Sequence, residues 1–131
     1  MSFIPDYLKY SSAHIWLELL DDGLLRIGIT DYAQQQLGDI VYVELPETER
    51  SYRTGDECAV IESVKSASDI YCPVSGEIIE VNRDLESEPE KINADPYGSG
   101  WIFILKPANE GDLEELMDAD EYSELTEEED S

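Results

Sequence analysis

Positive charge is scarce in this sequence. Eight lysines and arginines stand against 32 aspartates and glutamates in 131 residues, a formal net charge of −24. A field of that sign repels nucleic acid and anionic membrane surfaces, and it attracts basic partner surfaces at rates that fall as salt is added. No apolar run approaches the length a helix needs to span a bilayer. The opening stretch, MSFIPDYLKYSS, has neither the charged-then-apolar order of a secretory signal nor the arginine-rich composition of a transit peptide. These absences lead us to expect a cytoplasmic protein without membrane or nucleic-acid partners, with a mature form already stripped of a mitochondrial targeting segment as the alternative.

Histidine occurs once and cysteine twice. His14 is too remote in sequence from Cys58 and Cys72 to complete a zinc site with them, so no metal is expected. The two cysteines lie symmetrically about Lys65, a spacing that allows a disulfide across a hairpin, whereas a reducing compartment favours small buried thiols. No nucleophile stands beside a base, and neither a phosphate loop nor a ligand cluster is present, which argues against an independent enzyme. The length allows a single domain, residues 1–131, with a modest core.

What is present centres on residues 60–81, VIESVKSASDIYCPVSGEIIEV. Short β-branched and apolar runs flank Lys65, the one basic residue between Arg53 and Arg83. Two strands joined by a tight turn place that lysine at a hairpin tip, exposed and geometrically fixed. A lone lysine is usually a solvated surface charge. A Schiff-base lysine needs an apolar pocket to depress its pKa, and a turn tip offers water, so the pattern favours a modified lysine over a catalytic one.

Around this hairpin the spacing predicts strands over residues 14–20, 24–29, 40–45, 57–64, 78–81 and 101–105. Asp21-Asp22-Gly23 and Pro73-Val74-Ser75-Gly76 read as turns. Thr30 or Asp31 can cap a helix over residues 32–37, with Gly38 ending it in a left-handed conformation. Residues 47–56 read as a loop and 82–93 as a polar connection, and residues 1–12 as an aromatic-bearing segment packed across the domain. From about residue 109 the chain turns acidic. Leu113, Leu116, Met117, Tyr122 and Leu125 recur at helical spacing over residues 112–128, and residues 127–130 are expected to fray. Many short strands between turns indicate an all-β core with peripheral short helices.

The string Glu62-Ser63-Val64-Lys65-Ser66, followed by Ser68-Asp69-Ile70-Tyr71 and Pro73-Val74-Ser75-Gly76-Glu77, resembles the lipoylation hairpin of the glycine cleavage system H proteins. The likeness continues in order over most of the chain: His14 and Trp16; Gly28 to Gln34; Leu37 to Val41; Val43 to Pro46; Asn93; Pro96-Tyr97-Gly98; and Gly100-Trp101.

The resemblance implies a lipoyl-domain-like, barrel-sandwich hybrid of two antiparallel sheets with a C-terminal helix. It implies lipoate in amide linkage on Lys65. The lipoyl carrier would shuttle an aminomethyl group from the glycine decarboxylase (P protein) to the aminomethyltransferase (T protein), and dihydrolipoyl dehydrogenase (L protein) would reoxidise it. The carrier is itself non-catalytic, since the cofactor brings the chemistry, and a monomer is expected. Glu62 and Gly76 match positions that the lipoyl-attaching enzyme reads. Glu62 has a plain solvent-side strand residue as its alternative, and Gly76 a backbone-conformation role. Ser12, His14 and Asp69 are candidate arm or cleft contacts, His14 with a structural role as its alternative.

One position departs from the family pattern. Ile15 stands where an acidic residue usually lies between the histidine and tryptophan, and isoleucine cannot hold an amine by a charge-assisted hydrogen bond. That weakens the choice of pathway, so an H-like lipoyl carrier of a different pathway remains the alternative reading. A biotinyl carrier is disfavoured because Val64 and Ser66, not methionines, flank the lysine. An unmodified acidic interaction module would require Lys65 to be incidental.

Overall fold

The computed structural model describes residues 3–130. Leu17 and Ile27 illustrate how the chain builds its first layer. In β2 (Ile15–Leu19) and β3 (Leu25–Ile29), paired antiparallel, alternate residues point to opposite sides of the sheet. Ile15, Leu17, Leu25, Ile27 and Ile29 all face one core, while Trp16, opposite Gly28, faces the other way into a second apolar cluster. The turn between them includes Gly23, at φ +82°. With β1 (Lys9–Tyr10), β5 (Ser51–Tyr52), β8 (Gly76–Val81) and β9 (Phe103–Pro107), they form a six-stranded sheet in the order β1-β2-β3-β9-β8-β5. A three-stranded sheet, β4-β6-β7, built from β4 (Ile40–Glu44), β6 (Glu57–Ser63) and β7 (Ala67–Tyr71), closes over the main core. The expected pair of antiparallel sheets is present. Each fully buried Leu or Ile between them contributes roughly 1.5–3 kcal/mol.

The helices sit at the margins. Helix α1 (Asp31–Leu37) is capped as anticipated: the Thr30 hydroxyl accepts the Ala33 N–H at 3.2 Å. Gly38 ends it at φ +82°, but with an extended ψ of −158° in place of the left-handed helical one. Several expectations need correction. Residues 82–93 contain two one-turn helices, α2 (Asp84–Ser87) and α3 (Lys91–Ala94), each pinned by one buried residue, Leu85 or Ile92. One apolar residue per turn leaves no periodicity to detect. The 47–56 loop contains β5, whose two residues pair with Gly76 and Glu77 of β8. The last strand starts at Phe103, not Trp101.

The N-terminal segment does pack across the fold from Phe3, whose N–H donates to Asp31 Oδ2 at 3.0 Å and whose ring meets Tyr97 edge-on. Met1 and Ser2 lie outside the described residues. Cys58 and Cys72 are free and buried. The hydrogen bond with Cys72, followed by burial, pushes the Cys58 thiol up, as befits an inert core side chain.

A 3₁₀ turn (Glu110–Glu115) precedes α4 (Ala119–Asp130), which continues as helix through residues 127–130, where fraying was expected. The reason is a docking network. Tyr122 is fully buried, stacks on Tyr10 at 4.6 Å, and places its hydroxyl 2.7 Å from both His14 Nδ1 and Thr30 Oγ1. About two turns along the same face, Glu129 Oε2 lies 2.9 Å from His14 Nε2. The helix thus covers the second cluster of Leu8, Tyr10 and Trp16.

Tyr122→Phe keeps the stacking but leaves Thr30 and His14 without their partner, so it should cost about 1–3 kcal/mol in urea unfolding. An unchanged unfolding midpoint would show that the hydroxyl does not dock α4.

Candidate functional site

Ser63 ends β6 and is buried. Its hydroxyl accepts the N–H groups of Lys65 and Ser66, each at 3.2 Å, and donates to the Ser66 carbonyl at 3.2 Å. Its backbone N–H also donates to the Ser66 carbonyl, at 2.8 Å. Val64, Lys65 and Ser66 therefore form a closed tip in which the N–H groups of Lys65 and Ser66 and the Ser66 carbonyl find their partners in Ser63. Val64 and Lys65 are exposed, and the Val64 side chain is 65% accessible.

Sideways support comes from the start of β4. The Val64 N–H donates to the Asp39 carbonyl at 3.0 Å, one step beyond the last register pair, Ile40 with Ser63. The aliphatic stem of Lys65 runs over Gly38: a Cβ there would lie 3.2 Å from Lys65 Cε. Gly38 thus serves both its positive φ and the close approach of the lysine. Among the described residues no carboxylate forms an ion pair with the Lys65 amine. An exposed, unpaired amine on a fixed stem fits acylation, because losing its charge breaks no contact of the fold.

The outer face of the three-stranded sheet is acidic. Tyr42, Glu62 and Ala67 form one row across it, and Glu44, Val60 and Asp69 the next. Val41 is the extra residue of a bulge between Ile40 and Tyr42, so both Val41 and Tyr42 face solvent beside the hairpin. The Asp69 carboxylate, then slight desolvation, a hydrogen bond with Asp69 and the field of Glu44 raise the Glu57 pKa above its ordinary value. Among the described residues no cluster of three or more His, Cys, Asp or Glu side chains could hold a metal ion.

The sequence-derived residues divide between places. Glu62, Lys65 and Asp69 share the hairpin, with Glu62 and Asp69 exposed. Ser12 is exposed beside a cleft shared with Thr54, Pro73 and Met117, at the base of the hairpin and not at its tip. His14 stands at the N-terminal end of α1, 4.9 Å from the Tyr32 ring, with both ring nitrogens engaged by α4. Lys65 is at the other end of that seven-residue helix, about 10 Å away along its axis. Gly76 belongs to the other sheet, where it pairs with Tyr52 and Pro107. Three residues that meet the tip, Ser63, Gly38 and Asp39, lie outside the sequence-derived site residues; Ser63 carries a local signal as a hydroxyl-bearing residue at a turn and Gly38 as a helix end, whereas Asp39 carries none.

The match to known proteins covers nearly the whole chain. Residues 8–129 match the family model described as "Glycine cleavage H-protein". The chain belongs to this family. A glycine cleavage system H protein of Alkalilimnicola ehrlichii is 54% identical over 125 residues, covering 95% of this chain and 96% of that protein. One of Marinobacter nauticus is 55% identical over 124 residues, covering 95% of each. The crystal structure of a glycine cleavage system H protein from Mycobacterium marinum superposes with a TM-score of 0.86 at 38% identity, covering 94% of this chain and 98% of that one.

Two positions read differently once the fold is known. Ile15, 1% accessible, packs in the main core of this H-protein family member, so a carboxylate introduced there would be buried among apolar side chains and not presented to a cleft. Gly76 owes its lack of a side chain to packing: a Cβ would collide with the Lys106 carbonyl and the Leu105 side chain. Close approach of β9, not turn conformation, is its structural requirement.

Gly76→Ala should therefore destabilise the fold by about 1–3 kcal/mol, as overpacking does, measured by chemical denaturation. For Glu57 the folded state holds its proton more tightly than the unfolded chain does. The associated stability is fully present below the unfolded carboxylate pKa and is lost as pH rises through the higher folded value. Thermal melts of Glu57→Gln between about pH 4 and 7 should show a flatter decline than the parent; identical profiles would refute the carboxylate crowding.

Proposed function

We propose that Lys65 is the lipoyl attachment point through which this chain serves as the lipoyl carrier of the glycine cleavage system. The supporting observation is the exposed, unpaired amine on a tip that Ser63 closes and Asp39 steadies. Lipoate would join Lys65 Nζ in an amide, with net loss of one water. Once bound, it supplies a dithiolane that carries the aminomethyl fragment from glycine decarboxylase to the aminomethyltransferase and is reoxidised by dihydrolipoyl dehydrogenase.

The chain's own residues present and steer that arm. Glu62, outward-facing near the tip, offers its carboxylate to the lipoyl-attaching enzyme. Gly76 contributes to the same recognition by allowing the close approach of β9 behind Ser75. Asp69 lies on the outward side of β7, where a carboxylate can accept a hydrogen bond from a cationic load. His14, its nitrogens committed to α4, would offer ring surface only. A net charge of −24 disfavours self-association and favours basic docking surfaces on partner enzymes, which supports a monomeric carrier. The bacterial source of the relatives supports a cytoplasmic setting. No helix among the described residues is long and apolar enough to cross a membrane.

Intact-mass measurement after incubation with lipoate, ATP and a lipoate ligase should show a gain of one lipoyl group in the parent and none in Lys65→Ala. Glu62→Gln should slow that gain while leaving the melting temperature unchanged. Modification that survives Lys65→Ala would overturn the assignment.

A further inference from the structure

The tip of the hairpin extends past its sheet. Regular pairing of β4 with β6 ends at Ile40 and Ser63, and among the described residues the one strand-like bond between them beyond it is Val64 N–H to the Asp39 carbonyl. Residues 38–40 cannot hold that carbonyl in place by sheet pairing on their far side, because β4 is an edge strand and Gly38, at φ +82°, has left the extended run. Asn93 takes the place of the missing strand. Its Oδ1 accepts the Ile40 N–H at 2.8 Å, and its Nδ2 donates to the Gly38 carbonyl at 2.9 Å. These are the two peptide groups on either side of Asp39. The second Nδ2 proton goes to Gln34 Oε1 at 2.9 Å, so both donors and the acceptor of the amide are used and its orientation is fixed.

We propose that Asn93 is a positioning residue for lipoylation: by gripping the peptide groups that flank Asp39, it sets where the Asp39 carbonyl holds Val64 and hence where Lys65 is presented. The inference rests on Lys65 being the attachment point. Asn93 is on α3, in the segment between β8 and β9, and its amide bonds to Gln34, Gly38 and Ile40 rather than to the lysine. Its effect passes through one backbone hydrogen bond. Enzymes that must bring a lysine amine to an acyl donor are sensitive to displacements of this kind, since a shift of about 1 Å can cost up to a hundredfold in rate. The plainer alternative is that Asn93 only fastens α3 to the end of α1, which would affect global stability and leave presentation of the lysine unchanged.

The test pairs two measurements on full-length protein. Hydrogen exchange in Asn93→Ala should be faster at the Val64 amide by about tenfold, while the Ile27 and Leu105 amides of the large sheet keep their parent rates. Lipoylation of the same variant by a lipoate ligase should lose about tenfold in kcat/KM, the loss appearing in KM for the carrier. Gln34→Ala removes the acceptor that helps fix the Asn93 amide and leaves its bonds to Ile40 and Gly38 in place, so it should fall between parent and Asn93→Ala in both measurements; it carries the test alone if the alanine variant fails to fold. A Val64 amide that exchanges at the parent rate, or one that exchanges faster with lipoylation unimpaired, would overturn the proposal. If the parent itself is not lipoylated at Lys65, the assignment of the site fails, and the exchange data still report whether Asn93 holds the tip.

Discussion

An attachment lysine has to be both exposed and held, and at Lys65 one buried hydroxyl reconciles those demands. A three-residue tip leaves the N–H groups of Lys65 and Ser66 without strand partners, and the Ser63 side chain accepts both. Because the turn is closed largely by a residue of the strand itself, one outside bond, from the Val64 N–H to the Asp39 carbonyl, completes it. The apex can stand in solvent without losing its shape. Other features near the tip serve the same end: a glycine beneath the lysine stem, an edge strand that supplies one carbonyl, and a bulge that turns Val41 and Tyr42 outward beside it.

The charge distribution fits this division of labour. Acidic side chains accumulate on the outer face of the small sheet, where Glu44, Glu57, Glu62 and Asp69 tolerate mutual repulsion that the Glu57 shift makes visible. Within the hairpin, Lys65 is the one cationic side chain in this field. Acylation of Lys65, as proposed, would remove that charge and leave only anionic groups on the face, so a basic partner surface would meet no repelling ammonium at its centre.

What could be read from sequence followed local chemistry. The alternation in β2 and β3, the Thr30 cap and the hairpin itself each depend on residues close together in the chain, and each is present in the structure. What could not be read depends on distant partners. The helices around Leu85 and Ile92 exist because those side chains fill holes in the core, and residues 51 and 52 become strand because β8 has an open edge. The order of the acidic C-terminal helix comes from His14, Thr30 and Tyr10, which lie at the far end of the sequence. The same limit applied to the site. The hairpin that carries Lys65 is legible from its own neighbours, whereas Asn93 meets Ile40 across 53 residues of sequence and has no local signature.

Docking of α4 also constrains how the chain can fold as it is made. The aromatic cluster seeded by Tyr10 and Trp16 is completed by Tyr122, whose hydroxyl meets His14 across 108 residues of sequence. Tyr122 follows in the chain every element that it packs against, so one face of the large sheet stays uncovered until α4 is available to dock.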